Sequence, residues 1–225
     1  MQNQTAEVTW RSGNVPVSTR FDDPYFSLQN GLEETRHVFL KGNLLPDRFR
    51  DGFHIAELGF GTGLNFLATV QAWENAGVSG LLFFTSFEAY PLDRAQMSKA
   101  LEAFSSAGLR VKELVENWNP EGGGFEVTPS VSLEVILGDA RGTIKTWGGQ
   151  ADAWYLDGFS PAKNPELWSP ALMGDVAART GPGGSFATYT AAGFVRRGLA
   201  EAGFTVDRVP GFGRKRHMTR GTLKA

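Results

Sequence analysis

An α/β domain with a mostly parallel sheet is the fold this sequence predicts, and three observations predict it. From His54 onward, apolar stretches of strand length alternate with helix-length segments. Leu81 to Phe87 reads as one continuous apolar strand, the pattern of a parallel strand covered by helices on both faces. The connection from Pro210 to Arg216 is too short for a parallel crossover, so the last strand should run antiparallel.

The elements follow in order. Up to about residue 50 the chain has mixed character and reads as an N-terminal extension packing on a main domain of residues 51–225. Asp22-Asp23-Pro24-Tyr25-Phe26 predicts a turn followed by aromatics, and Gly31 to Leu40 a helix-like segment. His54 to Gly59 reads as a strand and Leu64 to Ala76 as the helix after it. Asp93 to Ala107 predicts a helix with Asp93 as its N-cap. Glu116 to Ser130, with Asn119-Pro120 and Gly122-Gly123-Gly124, predicts a loop with room for a short hairpin. Further strands are expected at Leu133–Leu137, Ala153–Asp157, Ser185–Tyr189 (after a Gly181-Pro182-Gly183-Gly184 turn), Thr205–Val209 and His217–Leu223. Gly193 to Ala202 reads as a helix.

Composition limits the function classes. The 225 residues are 41% hydrophobic and 20% charged, which suits one globular unit with a sizeable core. There is no cysteine, which removes disulfides, thiolate metal sites and thiol nucleophiles. With three histidines, no metal is expected. No stretch approaches the ~20 apolar residues of a membrane span, and no leader pattern opens the chain. The expectation is a soluble, cytoplasmic protein with no membrane partner. Net charge is −2, yet residues 179–225 hold nine Lys/Arg against two acids. That asymmetry points to an anionic partner, with an ordinary solvated surface as the alternative.

Three acids stand where an open α/β sheet binds ligands, after the carboxyl ends of successive strands. Glu57-Leu58-Gly59-Phe60-Gly61-Thr62-Gly63 joins a strand to a helix. Its glycines permit a sharp turn and close ligand approach. The spacing is G-x-G-x-G, and Glu57 would repel a pyrophosphate but attract an ammonium or sulfonium group. S-adenosylmethionine carries both charges and no phosphate; a tight turn without ligand is the alternative. Glu88, ending the next strand, suits ribose hydroxyls, and Asp139 in Gly138-Asp139-Ala140 suits an exocyclic adenine amine. Asp157 ends an apolar strand before the proline-pinned loop Gly158 to Trp168. A carboxylate there can orient and help deprotonate an amine for methyl transfer, or simply cap a turn. Phe159 and Trp168 can stack a base or belong to the core.

At these residues the chain resembles the methyltransferase part of the bacterial bifunctional MnmC proteins, the tRNA 5-methylaminomethyl-2-thiouridine methyltransferases. Four blocks carry the resemblance: Asp23 to Ser27 with Asn30 to Thr35; Glu57 to Asn65; Asp157 to Trp168; and Ala192 to Leu199 with Gly211 to Arg216. The second is general to methyltransferases in its glycines, and the other three are more family-specific. The resemblance implies a Rossmann-like class I fold with a seven-stranded sheet. It also implies S-adenosylmethionine as donor and the aminomethyl nitrogen of 5-aminomethyl-2-thiouridine as acceptor. Asp157 takes the catalytic aspartate's place. Glu57, Gly59, Phe60, Gly61, Thr62, Gly63, Asn65, Glu88, Asp139 and Ala140 fall where the donor binds. Tyr25, Glu33, Phe159, Lys163, Arg196, Arg197, Arg214, Lys215 and Arg216 fall on the substrate side, the arginines and Lys215 toward phosphates of a tRNA anticodon arm. The bifunctional proteins continue into a flavin-dependent oxidase, so a chain ending at Ala225 is expected to need no flavin and to depend on a separate enzyme for its aminomethyl uridine. Asn119 to Phe125 departs from the family's usual turn. A small-molecule amine methyltransferase and a non-catalytic adaptor using the same pocket are the competing readings.

Overall fold

The computed structural model describes residues 5–12, 14–27 and 30–224. A small antiparallel sheet comes first: β1 (Val8–Arg11), β2 (Val15–Ser18) and β3 (Asp23–Pro24). Helix α1 (Gly31–Thr35) runs on through a π-helical turn (Arg36–Leu40) and a 3-10 turn (Lys41–Asn43). The alternating part follows: β4 (Phe53–Leu58), α2 (Leu64–Ala76), β5 (Leu82–Glu88), α3 (Arg94–Leu101), α4 (Val111–Asn117), β6 (Gly123–Thr128), β7 (Val131–Leu137) and α5 (Ala140–Thr146). Then come β8 (Ala151–Leu156), α6 (Pro170–Ala178), β9 (Thr180–Thr188), α7 (Gly193–Glu201), β10 (Phe204–Pro210) and β11 (His217–Leu223).

The large sheet has the order β10-β11-β9-β8-β4-β5-β7-β6. Strands β7, β5, β4, β8 and β9 are parallel, and β11 is antiparallel to both β9 and β10, as the short last connection requires. The sheet has eight strands, one more than the family likeness implied. The extra one is β6, antiparallel to β7 at the edge. Glycines at its start make this possible: a Cβ on Gly122, just before the strand, would come within 2.9 Å of the Val135 carbonyl, and one on Gly124 within 3.2 Å of the Leu133 carbonyl.

Alternation along the central strands feeds two apolar layers. On β4, Phe53 and Ile55 meet α2, α3 and α4 through Phe66, Leu67, Met97 and Leu114, while Ala56 and Leu58 face the other way. On β8, Ala153 and Tyr155 join the first layer, and Trp154 and Leu156 the second. The second layer is closed by Ile144 of α5, Leu172 and Val176 of α6, and Val195 and Leu199 of α7. With both faces covered, only the sheet's ends remain for a ligand.

Several elements differ from expectation. Asp93 caps α3 in a full capping box with Gln96, but the α-helix ends at Leu101 and a 3-10 turn carries it to Ala107. Helices α4, α5 and α6 were not expected. The Gly181–Gly184 segment is a bulge inside β9, not a turn before it. Pairing jumps from Ala151↔Thr180 to Ala153↔Ser185, so four residues, 181–184, stand opposite Asp152 alone. No helix among the described residues is long and apolar enough to cross a membrane.

Candidate active site

The five parallel strands end at one edge, and there the chain encloses a cavity of about 1400 Å³. Its floor is the β4–α2 turn and its walls are the segments after β5, β7, β8 and β9. Residues of the N-terminal 39 and of the Phe212–Lys215 loop complete it.

Gly59, Gly61 and Gly63 all take left-handed φ (82°, 55° and 78°). The conformation suits glycine, and so does the space. A Cβ on Gly61 would stand 3.1 Å from the Tyr25 ring, and one on Gly59 3.4 Å from the Gly158 Cα. The glycine turn therefore packs directly on the backbone that carries Asp157. The Gly61 N–H donates to Glu88 Oε2 (2.9 Å), and the Tyr90 N–H to Glu88 Oε1 (2.7 Å). Burial pushes the Glu88 carboxyl up while these backbone donors pull it back.

Asn65, in the first turn of α2, ties the acids together. Its Nδ2 donates to Glu57 Oε1 and to Asp157 Oδ2, both at 2.8 Å. Its Oδ1 accepts from the Thr35 hydroxyl (2.8 Å), and the Ser86 hydroxyl donates to Glu57 Oε2 (2.7 Å). Asp157 Oδ1 accepts from the Gly158 N–H (2.8 Å). Desolvation raises Asp157 to a pKa of about 6, against the pull of Gly158, Asn65 and Lys215, with Glu34 pushing up as well. Desolvation also drives Glu57, wholly buried, well above the usual carboxylate range.

The proposed residues divide by place. Gly59, Phe60, Gly61, Thr62, Asn65, Glu88, Asp139, Ala140 and Asp157 line the cavity, as do Tyr25, Phe159, Lys163, Arg214 and Lys215. Phe60 does so while stacked on Trp118 (5.0 Å between centroids). Asp139 caps α5 and pairs with Arg141, which lowers its pKa. Glu57 and Gly63 lie beneath the floor and do not line it: Glu57 is bound by Asn65 and Ser86, and Gly63 is covered by Leu114 and Phe60. Glu33 also stays outside, held by Arg36 at 2.5 Å, and its neighbour Glu34 faces the cavity instead. Arg196, Arg197 and Arg216 do not reach the wall. Trp168 is core, its Nε1 donating to the Phe159 carbonyl (2.9 Å).

Sequence reasoning missed four contributors. Phe21 stacks on Phe159 (4.7 Å, 25° between planes), with Tyr25 edge-on to the same ring (5.1 Å). Tyr189, just past β9, donates its hydroxyl to the Gly158 carbonyl (2.8 Å). Glu34 pairs with Lys215 (2.7 Å), whose ammonium also lies 4.2 Å from the Tyr189 ring centre. Asp23 accepts from the Ser160 N–H (2.8 Å) and stands 3.8 Å from Lys163, which also pairs with Asp22.

A family model described as S-adenosyl-L-methionine-dependent methyltransferase matches residues 101–224, more than half of the chain. The chain belongs to this methyltransferase family. It is 46% identical over 96% of its length to the tRNA 5-methylaminomethyl-2-thiouridine biosynthesis bifunctional protein MnmC of Aeromonas hydrophila, and 42% identical over 99% to that of Stutzerimonas stutzeri. It spans 35% of the length of each. The crystal structure of MNMC2 from Aquifex aeolicus is similar over the whole chain and 72% of that chain, at TM-score 0.77 and 27% identity.

The methyltransferase's donor is S-adenosyl-L-methionine, and the residues present fit it. The glycine turn presents bare backbone to the cavity, Glu88 offers a carboxylate held by two amides, and Asp139 stands exposed at the next strand end. Among the described residues no cluster of side chains suits a metal ion.

Proposed function

We propose that the chain methylates the aminomethyl nitrogen of 5-aminomethyl-2-thiouridine at the wobble position of tRNA, giving 5-methylaminomethyl-2-thiouridine. One observation carries this reading: Asp157 lines the cavity, and the backbone of Asp157 and Gly158 packs directly against the glycine turn. The MnmC relatives supply the substrate class.

In this reading, Glu88 would take the donor's ribose hydroxyls, Asp139 and Ala140 would border its adenine, and the Gly59 to Thr62 turn would help to hold it. The donor, when bound, supplies an electrophilic methyl carbon on sulfonium. Asp157 orients the amine and takes the proton that its nitrogen must lose before attack, after which solvent receives it. With a pKa near 6, Asp157 is ionised at neutral pH yet basic enough to hold a proton briefly. Asn65 keeps the carboxylate from turning, and its Thr35 partner fixes which way the Asn65 amide faces. Phe21, Tyr25 and Phe159 form an aromatic wall suited to a splayed-out base.

The N-terminal 50 residues act as an extension that roofs the catalytic domain. Five of the nine basic residues of 179–225 belong to segments that start or turn at the carboxyl edge: Arg196 and Arg197 in the N-terminal half of α7, and Arg214, Lys215 and Arg216 between β10 and β11. That concentration favours an anticodon arm over a small-molecule amine. Arg179 and Lys224 sit at the opposite edge and take no part. A separate enzyme supplies the aminomethyl uridine, and the reaction is cytoplasmic. Nucleoside mass spectrometry of aminomethyl-bearing tRNA, incubated with the protein and donor, tests the proposal. The expected product gains one methyl on the side-chain nitrogen; unchanged tRNA alongside methylation of a free amine would favour the small-molecule alternative.

A further inference from the structure

Lys215 occupies an unusual position for a surface lysine. Its ammonium is gripped by Glu34 Oε1 at 2.7 Å and sits over the Tyr189 ring at 4.2 Å. Both groups line the cavity that holds Asp157. The Glu34 side chain is only 12% exposed, whereas that of Lys215 is 46% exposed. Nothing else among the described residues bonds the Glu34 carboxylate. A carboxylate beside an aromatic face is what binds a primary ammonium, through a charge-assisted hydrogen bond and a cation–π contact. The Tyr189 ring is fixed for this purpose by its hydroxyl bond to the Gly158 carbonyl, one residue from Asp157.

We propose that Glu34 and the Tyr189 face form a docking subsite for the substrate's primary ammonium, held before substrate arrives by the chain's own Lys215 ammonium. The inference rests on the amine-methyltransferase reading and names the residues that select the amine. An ion pair to a half-exposed lysine contributes little to stability, so it is readily exchanged. The incoming group makes the same two contacts, and Lys215 is freed at the rim, where Arg214 also stands, to meet a phosphate. The geometry separates two tasks. Glu34 and Tyr189 hold the charged amine, and Asp157 receives it once the proton is to be lost.

The test is calorimetric titration of the full chain, saturated with S-adenosylhomocysteine, with 5-aminomethyluracil and with thymine, which lacks the amine. Wild type is compared with Glu34→Gln and Lys215→Met, each first checked for an unchanged melting temperature. Removing the internal competitor should tighten 5-aminomethyluracil binding by about tenfold, and removing the carboxylate should weaken it by about tenfold, with thymine unaffected by either. Equal binding by all three proteins overturns the proposal, and so does absence of amine binding to Lys215→Met, whose subsite is vacant. The readout needs no methyl transfer. If the binding pattern holds while tRNA stays unmethylated, the subsite stands and the tRNA reading fails.

Discussion

The two halves of the cavity are built differently. On the glycine-turn side, acids are fixed by groups from the core: Glu88 by the amides of Gly61 and Tyr90, and Glu57 by Asn65 and Ser86. Across the cavity, contacts join segments distant in sequence through ion pairs to partly exposed lysines, Lys163 with Asp22 and Asp23, and Lys215 with Glu34. The first construction is pre-organised and screened little by salt. The second is exchangeable and salt-sensitive. A donor of constant structure suits the rigid half, and a large polyanion that must enter and leave suits the other.

The largest effect that would break this comparison lies where the halves meet. Asp157→Asn should lower turnover by at least ~100-fold, the usual worth of a positioned base, while leaving donor affinity within a factor of about two. Turnover assays paired with donor titration check it. On the rigid side, Gly61→Ala forces a left-handed backbone at φ 55° on a residue with a Cβ and pushes on Tyr25 at 3.1 Å. It should cost about 1–3 kcal/mol of stability and weaken the donor, read by denaturant melts and titration.

Much of the rigid half was legible in the sequence. The glycine spacing, Glu88, Asp139 and Asp157 could be found because each follows an apolar strand in a parallel sheet, and topology brings such ends together. The exchangeable half was less legible. Glu33 and Glu34 are adjacent, and only the docking of α1 against α2 decides which of them faces the cavity. Tyr189 was legible only as the end of a strand and Phe21 was not singled out, because nothing local marks a ring as a wall. Glu57 was the converse case. Its position in the motif was clear, but its carboxylate turns into the core toward Asn65 and Ser86. Helices α5 and α6 are short and each is interrupted by a glycine: α5 is seven residues long with Gly142 inside it, and α6 is nine residues long and contains Gly174, although Ser169 and Pro170 form a start signal that went unread.

Smaller effects sharpen the contrast. Raising salt fourfold, from ~50 to ~200 mM, should weaken tRNA binding by roughly 20–40-fold if about three phosphates are met, with donor affinity unchanged. Equal salt responses of the two ligands would erase the distinction between the halves. Smallest is Glu57→Gln, which keeps both hydrogen bonds, accepting from Asn65 and donating to Ser86. Burial raises the folded-state pKa of Glu57 above its unfolded value, so its contribution to stability is lost as pH rises through the folded value. The Gln variant should therefore match wild type in acid and melt higher in alkali by about 2–4 °C per kcal/mol recovered. Thermal melts across pH decide the matter.

The central claim is that Asp157 receives the amine's proton beside the bound donor, and its most direct test is a single-turnover pH profile. The rate of methyl transfer to aminomethyl-bearing tRNA would be followed from acid to neutral pH in wild type and Asp157→Asn, both saturated with donor. The wild-type rate should carry an inflection near pH 6, falling on the acid side as the carboxylate protonates, and the variant should be slow and lack this inflection. A variant as fast as wild type, or one that keeps the same inflection, would contradict the claim.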